Sequence, residues 1–423
     1  MRTLLGFDSW TQGSVYFERL VPELEQRGYR LILIHLGAWG HDLGRPNEEQ
    51  IGQLTVRNIS YYGGRSFREI LEIEQPAGVI YFSTRSLAHQ AFNLYCRFLR
   101  IPTVHLYHGL VTVQAVQAGG SGAFRVNWRN QITLVRTRLA KNLFTVWPAY
   151  WRALLETSAG LSAWSGFFRE LTDKLGGKVS PAPLAATTDS GCVYTSADMG
   201  HMHRIYHVAV DRISVVGNPD VASFGMQEAD LGCCLSQRAE STNEVFYIDT
   251  AFNEAGMVFP DTEAFVQHLL QSATVLSQQG LQLVAKLHPA HGRTGVADKL
   301  RARGVAVCAR SEFVERLKRA RAAIVEPSTA ALIPALLGVP LLLAEYGPLA
   351  GQAYGEVLTS YPRSARLTDA GQAARLIGLQ EAAPESEASR RWIAQNSGPL
   401  PASLMPSRAA EAIVATVNAG VVQ

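Results

Sequence analysis

The stretch from Lys286 to Pro340 constrains the fold more than any other part of the chain. An apolar run, Leu281 to Leu287, stops at His288-Pro289, and a second, Ala322 to Val325, stops at Glu326-Pro327-Ser328-Thr329. A small-residue helix follows, closes at Gly338, and gives way at once to a further run, Val339 to Ala344. Such short, continuous apolar runs read as buried parallel strands. Strand, polar tip, helix, strand is the order of a doubly wound α/β sheet, and such sheets bind ligands at the carboxyl ends of their strands. His288, Ser328 and Thr329 are expected at those ends, the last two opening a helix. Free N–H groups, hydroxyls and a neighbouring imidazole together suit an anion, and the phosphate of a nucleotide is the obvious one. Each residue has a structural reading as well: Pro289 as a strand stop, Ser328 or Thr329 as an N-cap. Their convergence on the strand tips of one half-domain favours the ligand.

The same order runs through the earlier part of the chain. Thr3 to Phe7 reads as a strand, followed by the loop Asp8 to Gly13, a helix Ser14 to Gln26 and a strand Tyr29 to Leu36, which make a βαβ unit. The loop carries glycines but not GxGxxG, so no dinucleotide site is read there; the Asp8 carboxylate at a strand tip can still do chemistry. Strands Ala77 to Phe82 and Pro102 to Leu106 end in Ser83-Thr84-Arg85 and Tyr107-His108-Gly109, where His108 is either ligand-facing or a capped loop histidine. A strand Cys192 to Thr195 precedes Ser196 to His207, which holds His201, His203 and His207. The pair at 203 and 207 shares a helix face but lacks the glutamate of HExxH, and no metal site is expected. The polar stretch Met226 to Asn243 reads as a linker, a second α/β series begins at Glu244, and Val245 to Ile248 ends in the tip Asp249-Thr250. Ser407 to Asn418 has the pattern of an amphipathic helix. The expected division is a first domain over 1–225, a linker over 226–243, a second domain over 244–400 and a terminal helix over 401–423.

Composition bounds the function. A chain of 423 residues that is 47% hydrophobic has room for two sizeable cores, and a net charge of +3 provides no basic field for nucleic acid. The five cysteines, at 96, 192, 233, 234 and 308, are odd in number and show no CxxC, which argues against both a disulfide framework and a zinc site and for a reducing cytoplasm. The opening MRTLLGFDSW lacks the apolar core of a signal peptide, and no apolar run is long enough to span a bilayer. Residues 125–152 interleave Arg125, Arg129, Arg136, Arg138, Lys141 and Arg152 with Trp128, Phe144, Trp147, Tyr150 and Trp151, with no acidic residue between them. That pattern suits peripheral contact with the inner face of a membrane, or a lipid-linked phosphate. The competing reading, a helix packed on its own domain by its aromatic side, is favoured by Pro148, which interrupts a long amphipathic helix.

Two Rossmann-like halves with such tips resemble the GT-B glycosyltransferases over most of the chain. IPTVHLYHG and DRISVVGNPD look like segments of nucleotide-sugar enzymes of that fold, and KLHP followed by EPST resembles the HP and Ser/Thr motifs of bacterial sialyl-, polysialyl- and Kdo transferases. CDP-glycerol polymerases carry related motifs. The resemblance implies an α/β, GT-B-like chain with two Rossmann-like domains facing each other across a cleft. It implies a nucleotide-sugar donor held by Lys286, His288, Ser328 and Thr329, with Glu326 and Thr250 beside them, and a glycan or lipid-linked acceptor on the N-terminal half. Asp8 then takes the role of general base, with His108 the second candidate, and no metal or other cofactor is called for. Pro334 stands where many UDP- and GDP-sugar enzymes carry a ribose-binding glutamate, which tilts the expectation toward a CMP-activated donor of the Kdo or sialic-acid type. The acidic motif of sialyltransferases has only Asp8 near its place, and no clear DxD is present. Surface polysaccharide assembly, in capsule or lipopolysaccharide, follows from the resemblance alone. A UDP- or GDP-sugar transferase, a nucleotide-sugar 2-epimerase and a catalytically inactive partner subunit stay open as alternatives.

Overall fold

The computed structural model describes residues 1–8, 13–39, 44–107, 142–159, 163–164, 168, 183–235, 242–250, 258–352, 354–382 and 387–420. The described chain gathers into two compact units, the first from residues 1–107, 142–217 and 403–420, the second from 218–402.

The first unit is built on strands β1 (Arg2–Asp8), β2 (Tyr29–His35), β3 (Glu48–Ile51), β4 (Leu54–Asn58), β5 (Gly78–Tyr81), β6 (Thr103–Leu106), β7 (Ser190–Val193) and β8 (Ile213–Val215). Their order is β3-β4-β2-β1-β5-β6-β7-β8, and among the described strands only the β3–β4 pair is antiparallel. The tight turn of that hairpin needs Gly52 at φ +56°, the region glycine enters without cost. The helix expected over 14–26 is two short ones, α1 (Ser14–Glu18) and α2 (Val21–Gln26). Pro22 has no N–H to offer the Glu18 carbonyl, so the ladder breaks there.

On one face of this sheet the Phe7 ring stacks on Phe92 at 4.1 Å and meets Phe67 edge-on at 5.5 Å. These contacts seat α3 (Phe67–Glu74) and α4 (Leu87–Phe98) against β1. Tyr150 and Leu154 of α5 (Val146–Glu156) complete that core, while α6 (Ser196–Tyr206) packs beside β7 and β8. Helix α9 (Met405–Gly420) lies against β6 and β7, with the Ser190 and Thr416 hydroxyls 2.7 Å apart. Its Met405, Ile413 and Val417 are buried, each contributing about 1.5–3 kcal/mol.

The second unit has an all-parallel sheet of β9 (Glu244–Ile248), β10 (Gln282–Lys286), β11 (Ala306–Val307), β12 (Ala322–Val325), β13 (Leu341–Ala344) and β14 (Ser364–Leu367), in the order β11-β10-β9-β12-β13-β14. Phe246, Ile248, Val284 and Val325 enter one core, with α8 (Leu332–Leu337); Val245, Tyr247, Ala285 and Ile324 enter the other, with α7 (Thr262–Ser277). Burial on both faces is why these strands are continuous apolar runs. Each unit is thus a Rossmann-like α/β layer structure, as the alternation of strand and helix signals predicts.

The boundaries differ from those expected. The units divide between Gly217 and Asn218 and again between Ala402 and Ser403. Within the stretch read as a linker, Met226 and Leu235 are buried in the second unit's core together with Val221. No described helix is long and apolar enough to cross a membrane.

Candidate functional site

Four adjacent strands of the second unit, β10, β9, β12 and β13, end side by side, so the loops that follow them form one edge of the sheet. Asp249, immediately after β9, is only 2% exposed. Its Oδ2 accepts the backbone N–H of His288 at 3.0 Å and lies 3.0 Å from Nε2 of His291. The His291 ring is itself fixed by stacking on Phe265, with centroids 5.4 Å apart. One carboxylate therefore pins both ends of the turn that follows β10, and it leaves His288 exposed at the tip. A backbone held at both ends, with an exposed histidine at its tip, is suited to meeting a ligand at a smaller cost of ordering the loop.

Glu326, immediately after β12, is fully buried. It accepts the Tyr247 hydroxyl at 2.7 Å, the Thr250 N–H at 2.9 Å and the Thr250 hydroxyl at 2.7 Å. Burial, aided by the negative charge of Asp249, pushes its carboxyl up to about 7. Thr250 and Glu326 thus hold each other and stitch the β9 and β12 tips together. Ser328 accepts the Ala330 N–H at 3.2 Å, which makes it an N-cap, and Thr329 beside it is half-buried. The helix expected to open here begins as a tighter turn, Thr329–Ala331, before α8. Pro334 cannot donate to the Ala330 carbonyl, so the first turn closes with shorter-range bonds.

Lys286 is placed differently from the other predicted residues. It is buried at the end of β10, its Nζ donates to the Leu287 carbonyl at 3.0 Å, and it lies 5.5 Å from the Phe313 ring centre and 5.9 Å from that of Phe224. Burial lowers its pKa. The structure accordingly brings His288, Thr250, Glu326, Ser328 and Thr329 to one edge, with Lys286 under the rings of one sheet face. Sequence reasoning missed Asp249 and His291 as members of the cluster; the signal available was the second histidine of HPAH and the acid closing the β9 run.

In the first unit Asp8 closes β1 and is 7% exposed. A Cβ on Gly13 would stand 2.5 Å from its Oδ2, so the carboxylate lies directly against Gly13, the residue before α1. Its Oδ1 is 3.9 Å from Nε2 of His89, whose Nδ1 is 2.5 Å from the Ser86 hydroxyl. Desolvation pushes His89 down to about 3, so it stands neutral beside Asp8, and the contact is not an ion pair. His108 lies outside the described residues, as does the part of the basic aromatic stretch before residue 142. The three histidines of α6 and its end have separate tasks. His201 Nδ1 is 2.7 Å from the Tyr107 hydroxyl, His203 Nδ1 is 2.9 Å from the Val208 carbonyl, and His207 caps the helix at φ 57°. A cleft of about 810 Å³, lined by Arg97, Arg100, Arg212, Asp189 and α9, lies at the amino ends of β6 to β8, the edge opposite to the strand tips. Ligands of parallel sheets gather at the carboxyl ends, so the tips of the second unit are the better candidate.

No protein-family model matches the chain. Among curated proteins, the large ribosomal subunit protein uL30 of Haloquadratum walsbyi is 29% identical over 110 residues, which is 24% of this chain and 71% of that protein. Solved structures similar to this chain include the UDP-GlcNAc 2-epimerase of Methanocaldococcus jannaschii, 11% identical, with 98% of this chain and 100% of that one covered and a TM-score of 0.48. The glycotransferase of kitacinnamycin is 14% identical, with 98% of each chain covered and a TM-score of 0.48. WaaG, a glycosyltransferase involved in lipopolysaccharide biosynthesis, is 11% identical, with 98% of this chain and 99% of that one covered and a TM-score of 0.45.

Proposed function

We propose that the chain is a glycosyltransferase that takes its sugar from a nucleotide-activated donor, bound at the strand tips of the second unit. The observation that carries this reading is the pinned turn after β10: Asp249 holds its backbone, and His288 is presented at the same sheet edge as the hydroxyls of Ser328 and Thr329. An imidazole and two hydroxyls are donors of the kind that stabilise charge on a departing phosphate. The KLHP and EPST segments, which resemble the corresponding motifs of HP-type transferases, support the same assignment. In the reaction the acceptor hydroxyl yields its proton to a carboxylate, and its oxygen bonds to the anomeric carbon. The bond from that carbon to the phosphate oxygen breaks, and the nucleotide leaves with the electron pair. Asp8 is our candidate for the carboxylate. With donors supplied by the protein, transfer proceeds without a bound metal and survives EDTA.

The donor we favour carries cytidine monophosphate, since Pro334 stands where many UDP- and GDP-sugar enzymes carry a ribose-binding glutamate, and the acceptor we favour is a surface polysaccharide or a lipid-linked glycan. Calorimetric titration with CMP, CDP, UDP and GDP tests this directly. CMP should bind most tightly, and His288→Ala should weaken it at least about tenfold, or ~1.4 kcal/mol. An unchanged dissociation constant sinks the role of His288, and binding of no nucleotide sinks the site. Asp8→Asn should abolish transfer while nucleotide affinity is kept; retained turnover would move the base elsewhere. Product formed from donor alone, without acceptor, would replace transfer by epimerisation.

A further inference from the structure

Cys233 and Cys234 are neighbours in a short loop at the carboxyl end of α8, with Sγ atoms 3.6 Å apart. Both are partly exposed, whereas Cys96, Cys192 and Cys308 are buried. The loop supplies two of the N–H groups that satisfy the last carbonyls of α8: Gly232 donates to Leu336 and Cys234 donates to Leu337, each at 2.8 Å. Leu235 closes the contact, since a Cβ on Gly338 would stand 2.9 Å from its Cγ. The Lys318 ammonium, bound to Asp230 at 2.8 Å and Glu315 at 2.7 Å, belongs to the same cluster, and the Lys318 carbonyl lies 3.4 Å from the Cys234 sulfur. The hydrogen bond from Cys234 and the Lys318 charge hold the Cys233 thiol below its ordinary value, while its neighbour holds Cys234 above. Thiolate is the reactive form, so the two sulfurs are unequal in the sense that exchange requires.

We propose that Cys233 and Cys234 form a redox modification site, a vicinal dithiol that exchanges with a low-molecular-weight disulfide and closes to an internal disulfide. The Cys233 thiolate attacks one sulfur of the reagent, bonds to it and expels the first thiolate. Cys234 then loses its proton and attacks the Cys233 sulfur, forming the bond between them and expelling the second thiolate. The two cysteines are oxidised by two electrons, the reagent is reduced by two, and both protons pass to solvent. The new ring contains the 233–234 peptide bond, which cannot keep its relaxed trans geometry inside so small a loop. The Cys234 N–H therefore swings off the Leu337 carbonyl, and α8 loses part of its carboxyl-end bonding. The other end of the same segment carries Ser328 and Thr329, so the closed form should hold nucleotide less tightly; this last step rests on the function proposed above.

The test is mass spectrometry of the reduced full-length protein after exposure to excess oxidised glutathione, acid quenching and alkylation. The expected product is lighter by two hydrogens, carries no glutathione, and has the cross-link in the peptide that holds both residues. Cys234→Ser should stop at a stable glutathione adduct on Cys233, with circular dichroism confirming that the variant is folded. A lasting adduct on the wild-type protein, a cross-link elsewhere, or no reaction would each overturn the dithiol. CMP titration of the two forms is read separately. Weaker binding to the closed form supports the coupling and equal binding removes it. Failure of the reduced form to bind any nucleotide counts against the functional assignment, while the mass result stands.

Discussion

Glu326 shows how a single buried carboxyl can tie stability to pH. Its native pKa of about 7 exceeds the ordinary 4.5, so between those values the folded protein keeps a proton that the unfolded chain has released. The favourable contribution of that proton is complete below about 4.5 and gone above about 7, which means stability falls as pH rises through the window. Thermal melts from about pH 5 to about pH 8 should show this decline, and Glu326→Gln, neutral throughout, should flatten it. An unchanged slope in the variant would show that another group holds the proton. Residue roles of this kind were only half legible in the sequence. A polar tip after a buried run announced His288, Ser328 and Thr329, but nothing in spacing told that Glu326 and Thr250 would bond to each other. Nor did it tell that Lys286 would be buried beside Phe224 and Phe313. Those are facts of which strands become neighbours, and β9 and β12 are far apart along the chain.

Among the elements, α9 depends on a close approach that glycine permits. A Cβ on Gly78 would stand 2.7 Å from Cγ2 of Val417 and 3.3 Å from the Pro102 carbonyl oxygen. Gly78→Ala should therefore cost about 1–3 kcal/mol, read as a lowered denaturation midpoint. In a Val417→Ala background the same substitution should cost less, because the methyl it meets is gone; strict additivity would show that α9 is seated otherwise. The strands and longer helices themselves were legible because sheets covered on both faces require unbroken apolar runs and helices require a periodic face. Partnership was the part that was not. Helix α9 has an amphipathic pattern that would suit either unit, and Met226 and Leu235 sit in a stretch polar enough to pass for a tether although both are core residues.

For the whole molecule the division of the chain makes a direct prediction. Residues 218–402 are continuous in sequence and carry their own sheet with a core on each face. Produced alone, that segment should unfold cooperatively and keep the nucleotide preference of the full chain. A broad, non-cooperative melt would show that it needs the rest. The first unit has no such independence, since residues 1–217 lack α9, which covers β6 and β7. This arrangement sets an order of events during synthesis. Strands β1 to β8 leave the ribosome early, but the helix that covers part of their sheet follows only after residues 218–402 have been made. At roughly 5–20 residues per second that delay is on the order of ten to forty seconds, during which the later unit can fold while the earlier one waits unfinished. The nascent chain is then most exposed to aggregation and to proteases, and chaperone supply during that interval should govern its yield in the cell.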